Sequence, residues 1–189
     1  MFLTRRPSPE DIERYLRESR DLPLSYAPVG ILSAPARRGR IDELTRAIGH
    51  GKADFERARD ALIAWKQFEI GWVETFPRPA PVAVGTEVAV LIRHLGFWSL
   101  NGCRVVYHLE PAADRFGYAY GTLPNHAEAG EELFEVFLDP RTGEVIYRIR
   151  ATSWPRALLA RAGQPIVRAL QARFRTDSAA AMARAARGS

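Results

Sequence analysis

The stretch Phe116–Phe134, FGYAYGTLPNHAEAGEELF, alternates large aromatic residues with glycine and alanine and then turns through PNHAEAG. Alternation with a period of two is typical of a β-strand, whose successive side chains point to opposite faces of a sheet. One face of this strand would carry only Gly117, Ala119 and Gly121, so another segment or a ligand could approach the backbone closely. The stretch therefore predicts a strand in a curved sheet, a turn and a second strand.

The same period continues on both sides of this stretch, and the connections between the runs are short and rich in Pro, Gly, Asn and Asp. Connections this short exclude parallel crossovers, so we expect an antiparallel sheet. The predicted strands are 70–76, 86–94, 102–110, 116–123, 131–138 and 144–153. Residues 40–48 could form a helix or a short strand, and we predict a strand, partly on the family resemblance given below.

Helical spacing flanks the strand region. Residues 8–20 form a short segment that Ser8 can cap, and residues 52–66 carry apolar side chains at intervals of three and four. A long helix is predicted over 155–187, with a kink or break at Gly163 and Pro165. The sheet cannot bury one face unless this helix lies across it. The predicted fold is one α+β domain, residues 1–189, in which a curved antiparallel sheet of about seven strands grips the C-terminal helix.

Composition limits the function classes. The chain has 189 residues, a net charge of +5 and one cysteine, Cys103, which excludes an internal disulfide framework and a cysteine-based zinc site. Its apolar runs are far shorter than the ~20 residues of a membrane helix. The first residues carry charges and prolines where a signal peptide needs an apolar core, so we expect a cytoplasmic protein. The four histidines lack metal-binding spacing and no nucleotide-binding motif is present, so the sequence predicts no metal and no cofactor.

Several blocks of the sequence carry a family resemblance: LSYAPVG, IGHGKADFERARDALIAWKQFEIGWVE, RHLGFWSLNGCRVVY, FGYAYGTLPNHAEAGEELFEV and IRATSWPRALLARAGQPIVRALQARF. Together, over about residues 2–175, they resemble uncharacterised protein family 0548, a domain of unknown function found in bacteria and plants. The resemblance implies no established activity and no catalytic residue. The general build is similar to the START-like helix-grip superfamily, whose members bind lipids, sterols, polyketides or hormones and sometimes catalyse cyclisation or hydrolysis. That second similarity concerns the fold alone.

The register of the last two strands follows from the length of their connection. A five-residue loop, Asp139–Gly143, places Glu132 opposite Arg150 and predicts a cross-strand ion pair between them. The same register points Glu131 into the predicted cavity, where a carboxylate needs a partner. One extra loop residue would exchange the two faces.

Candidate ligand-binding residues combine polar or aromatic chemistry with a position near the predicted cavity. Tyrosine hydroxyls can bind a ligand, although tyrosines packed in a sheet are commoner, and the aromatic residues of Gly96–Asn101 suggest a pocket lid, a membrane-touching tip or a plug of the core. The loop histidine could equally be solvated. The candidates are Trp98, Arg104, Tyr118, Tyr120, His126 and Glu131.

Three functions remain open. The first is binding of a small hydrophobic or amphipathic ligand between sheet and helix, favoured by the curved sheet and the absence of a catalytic motif. The second is a cyclase, isomerase or hydrolase that uses the two tyrosines with Glu131 or Arg104, which requires these groups to converge. The third is binding to nucleic acid or an acidic membrane surface through the C-terminal arginines. Those arginines are Arg156, Arg161, Arg168, Arg173 and Arg175.

Overall fold

The protein is built on one curved antiparallel sheet, as the alternating sequence predicts. The structure, a computed structural model, describes residues 2–32, 40–110, 112–155 and 164–188. Within these residues the sheet has eight strands in the order β2-β8-β7-β6-β5-β4-β3, and β1 pairs with the start of β5. The strands are β1 (Phe2–Leu3), β2 (Ile41–His50), β3 (Val73–Phe76), β4 (Glu87–His94), β5 (Phe97–His108), β6 (Arg115–Thr122), β7 (Glu128–Leu138) and β8 (Glu144–Pro155).

The described helices lie on both sides of this sheet. They are α1 (Pro9–Ser19), α2 (Gly51–Ile63), a single 3-10 turn (Lys66–Phe68) and α3 (Gln164–Arg187). Ser8 caps α1 through a reciprocal pair of hydrogen bonds with Asp11, which satisfies two backbone donors that a helix start leaves free. The prediction that Pro155 opens a helix is wrong, because β8 continues to Pro155. The predicted break at Gly163 lies outside the described residues.

The concave face of the sheet holds the main core. Aromatic and aliphatic side chains of β4 to β8 pack there against α2, the 3-10 turn and α3. This is the helix-grip arrangement, and it confirms the predicted fold class. On the convex face, α1 covers β4 and β5, and the segment that ends at Leu32 covers β6 and β7.

The interpretation of Gly96–Asn101 as a loop is wrong. β5 begins at Phe97, and the connection to β4 is the two-residue turn Leu95–Gly96, with His94 opposite Phe97. Alternation within the sequence FWSLN already has the period of a strand.

The predicted register of β7 and β8 is also wrong, by one residue. Leu138 pairs with Val145, so the connection is one residue longer than the five-residue loop allowed, and Glu132 lies opposite Ala151. Because the side-chain period of a strand is two, this slip exchanges the two faces of the pair.

Candidate functional site

The corrected register separates the two adjacent glutamates of β7. Glu132 lies on the concave face, opposite Tyr120 of β6, and Glu131 lies on the convex face. The predicted ion pair between Glu132 and Arg150 does not form. Instead Arg150 lies opposite Leu133, and its Nε is 3.4 Å from the Glu43 carboxylate.

Glu131 is a structural residue of the convex face rather than an inward-facing ligand group. Its side chain is 2% exposed and accepts hydrogen bonds from the hydroxyls of Tyr26 (2.7 Å) and Tyr107 (2.8 Å) and from the backbone N–H of Gly30 (2.9 Å). Burial and the neighbouring carboxylate raise the pKa of Tyr26 far above its usual value. Glu131 therefore fastens the segment around Tyr26 and Gly30 to the sheet.

The face of small residues also lies on the convex side. A Cβ atom at Gly121 would overlap the Tyr26 hydroxyl, and one at Gly117 would lie 2.7 Å from a methyl group of Leu109. We expected this bare face to admit a ligand or the C-terminal helix. It is filled instead by the Tyr26 segment and by Leu109.

The remaining predicted site residues lie apart from the tyrosines. Arg104 is paired with Glu87 through an Nε–Oε1 distance of 3.1 Å, and Trp98 packs in the apolar cluster beneath α1. His126, in the turn between β6 and β7, accepts the backbone N–H of Glu128 at 2.9 Å. The catalytic hypothesis required Glu131 or Arg104 to converge with the tyrosines. Both lie on the convex side, so that version of the hypothesis is wrong.

Tyr118 and Tyr120 do lie together on the concave face. Tyr118 is fully buried, accepts a hydrogen bond from Gln67 Nε2 at 2.7 Å, and has its pKa raised by burial. The other amide atom, Gln67 Oε1, is buried without a hydrogen-bond partner among the described residues. A buried acceptor without a partner costs free energy, so a hydrogen-bond donor placed beside Gln67 Oε1 would stabilise the folded protein.

Tyr120 and Glu132 form the central polar pair. The Tyr120 hydroxyl donates to Glu132 Oε2 at 2.5 Å. Burial raises the pKa of Glu132 to about 7, against the opposing effects of this hydrogen bond and of the Arg175 charge. No cation of the described chain lies within ion-pairing distance of Glu132. The residue as a whole is half-buried, and its side chain faces the interior of the fold.

Glu128 lies on the same face of β7, four residues earlier. It accepts hydrogen bonds from Ser153 Oγ at 2.7 Å and from Gln171 Nε2 at 2.6 Å, which join α3 to the sheet. Burial raises its pKa. Gly130 lies between the two glutamates, and a Cβ atom there would overlap the carbonyl of Thr152. In the sequence EAGEE, Glu128 and Glu132 are four residues apart and therefore share one face of the strand. Only the correct register shows that this is the concave face.

Aromatic rings surround the polar pair. The ring centroids of Phe68 and Phe174 are 5.2 Å apart, and those of Phe134 and Tyr120 are 5.5 Å apart with the two rings tilted by 55°. Phe174 and Leu170 of α3 pack against this cluster and stay partly exposed. The arrangement is a packed aromatic cluster that encloses one hydrogen-bonded polar pair.

A separate cleft of about 220 Å³ lies at the other end of the sheet, between α2 and the β5–β6 turn. Its charged residues already have partners: Arg115 binds Glu135, and Arg59 binds Asp60. In the part of the chain that the structure describes, no three His, Cys, Asp or Glu side chains are grouped to hold a metal ion. No described helix has the length and apolar character needed to span a membrane.

The curved sheet and the helices packed on its concave face define a helix-grip α+β domain. Residues 25–181 match the family model described as "Domain of unknown function (DUF1990)", and the chain belongs to this family.

Curated relatives named UPF0548 protein confirm the resemblance to family 0548. The relative from Dictyostelium discoideum is 32% identical and covers 98% of this chain and 95% of its own length. The relative from Deinococcus radiodurans is 34% identical and covers 98% of this chain and 99% of its own length. A third, from Arabidopsis thaliana, is 36% identical over 71% of this chain and 67% of its own length.

Solved structures share the fold at low sequence identity. TTHA0849 from Thermus thermophilus has a TM-score of 0.54 at 9% identity, covering 79% of this chain and 98% of its own. The protein of unknown function SA2116 from Staphylococcus aureus has a TM-score of 0.53 at 10% identity, covering 80% and 95%. Identities this low support the shared fold and nothing about activity.

Proposed function

We propose that the protein binds a small, mostly apolar molecule between the concave face of its sheet and α3. The observation that carries the proposal is the state of Glu132, an interior carboxyl group with one hydrogen-bond donor, Tyr120, and no ion pair with a described residue. A carboxyl group buried only for structural reasons is normally surrounded by donors. Glu131, one residue away, has three donors at short distance and illustrates that alternative.

The chemistry of the pair indicates the kind of ligand. With a pKa near 7, Glu132 exists in both protonation states at neutral pH, so it can donate a hydrogen bond to a carbonyl or accept one from a hydroxyl. Tyr120 orients the carboxyl group through its own hydrogen bond. The partly exposed side chains of Phe174 and Leu170 contact the apolar part of the ligand. Lipid-like and polyketide-like molecules have both features.

The test compares two tryptophan substitutions on α3. Leu170 packs against the concave core, and Leu170→Trp fills the proposed site, whereas Ala172 lies on the exposed side of the same helix, so Ala172→Trp is the matched control. Each protein is titrated with anilinonaphthalene sulfonate, a fluorescent amphipathic probe, after circular dichroism has confirmed that it is folded.

We expect the wild type and Ala172→Trp to bind the probe with saturation and Leu170→Trp to lose that binding. Equal fluorescence with all three folded proteins would place the probe elsewhere and refute a ligand site at this position. Glu132→Leu keeps the apolar side chains of the site. A smaller loss of probe affinity in this variant than in Leu170→Trp would measure what the carboxyl group adds to binding.

A further inference from the structure

The turn between β4 and β5 presents apolar side chains to solvent. Its two residues, Leu95 and Gly96, have φ angles of 49° and 79°. The Leu95 side chain is 72% exposed, and Phe97, which follows the turn, is 49% exposed. Both residues lie beyond the end of β6, and pairing with β1 and β3 reaches only Trp98 and Ile92, so the tip of the hairpin projects from the sheet.

Leucine is unfavourable at this turn position for two reasons. Two-residue hairpin loops with positive φ at both residues favour Asn, Asp or Gly, because a Cβ atom strains the left-handed conformation. Exposure of a large apolar side chain gives no packing energy in return. Strain at an exposed residue that does not serve folding points to a function at that residue.

Arginines lie immediately behind the apolar tip. The guanidinium carbons of Arg6 and Arg93 lie 5.9 Å and 5.8 Å from the ring centre of Trp98. Arg6 is paired with Glu74, while Arg93 forms no ion pair with any residue that the structure describes. From the tip inward, the hairpin presents apolar side chains, then an indole ring, then arginines. The same order of groups suits a membrane surface, where acyl chains lie beneath acidic head groups.

We propose that this hairpin tip docks on an anionic lipid bilayer, with Leu95 and Phe97 entering the acyl boundary and Arg93 meeting the head groups. The two side chains protrude from a narrow turn and form no flat apolar surface, which favours insertion into lipid over packing against a protein. Glu128 of β7 and the end of β8 at Pro155 lie at the same end of the sheet as this hairpin tip. The docking inference stands independently of the ligand site.

Vesicle sedimentation tests the inference with the full chain. The vesicles contain phosphatidylcholine alone or phosphatidylcholine with about one third phosphatidylglycerol, at low and high salt. The variants are Leu95→Asn, which suits the turn better than leucine, and Phe97→Ser. The control is Val84→Ser, because Val84 is 63% exposed in a turn at the opposite end of the sheet.

We expect the wild type and Val84→Ser to bind the anionic vesicles more tightly than the neutral ones, and salt to weaken that binding. Each tip variant should lose about tenfold or more in affinity, since one buried apolar side chain supplies that much. Wild-type affinity in both tip variants, or no binding of the wild type to anionic vesicles, would overturn the proposal. Leu170→Trp should bind vesicles as the wild type does, so the ligand proposal and the docking proposal fail separately.

Discussion

Replacement of Glu132 by glutamine should make the stability of the protein less dependent on pH. The pKa of this group is 4.5 in the unfolded chain and about 7 in the folded protein, because burial disfavours the carboxylate. As the pH rises from 4.5 to 7, the unfolded chain releases the proton while the folded protein retains it. The stability of the wild type therefore falls through this window. The loss is about 3 kcal/mol, at roughly 1.4 kcal/mol per tenfold change in acidity.

Urea unfolding of the wild type and Glu132→Gln at about pH 4.5 and about pH 8 measures this difference. Glutamine keeps the shape of the side chain and can still accept the Tyr120 hydrogen bond, so the substitution removes the ionisation alone. We expect the free energy of unfolding of Glu132→Gln, relative to that of the wild type, to be about 3 kcal/mol higher at about pH 8 than at about pH 4.5. The control is Glu13→Gln in α1, where the side chain is 71% exposed. A constant difference between Glu132→Gln and the wild type across this pH range would refute the assignment of Glu132 as a buried, weakly acidic group.

Three further substitutions test other parts of the structure by urea unfolding. Glu131→Leu should destabilise the fold by about 3 kcal/mol or more, because Tyr26, Tyr107 and Gly30 lose their acceptor; a loss below about 1 kcal/mol would contradict its structural role. Gly121→Ala should cost about 1–3 kcal/mol through overlap with the ring and hydroxyl of Tyr26, and a loss below about 0.5 kcal/mol would contradict this close packing. Leu95→Asn should stabilise the protein by about 1 kcal/mol by relieving strain in the turn, and destabilisation would show that Leu95 serves folding.

The fold was predictable because its signals are local. The alternation around Tyr118 and Tyr120 and the helical stripe of α2 follow from residues only a few positions apart. Short connections then required antiparallel pairing. α2 ends three residues before the predicted end at residue 66, since Trp65 adopts a left-handed conformation with φ of 60° and the chain continues as a 3-10 turn. That conformation is set by packing, in which the Trp65 indole donates to the carbonyl of Ala80.

The site was less predictable because its geometry depends on one residue of loop length. A single extra residue between β7 and β8 moved Glu132 into the core and Glu131 out of it. The role of Glu131 also depends on Tyr26 and Gly30, which lie 105 and 101 positions away, and no local pattern indicates that contact. Tyr120 was assigned correctly to the same face as Tyr118, but its partner could be identified only from the register.

Native mass spectrometry tests the proposed ligand site beside Glu132 most directly. Purified wild-type protein is measured as isolated and again after exposure to a total lipid extract, alongside Leu170→Trp. We predict a reproducible non-covalent adduct on the wild type that organic extraction releases and that Leu170→Trp lacks. A wild-type protein that carries no adduct under either condition, or a Leu170→Trp protein that retains the same adduct, would contradict a ligand site beside Glu132.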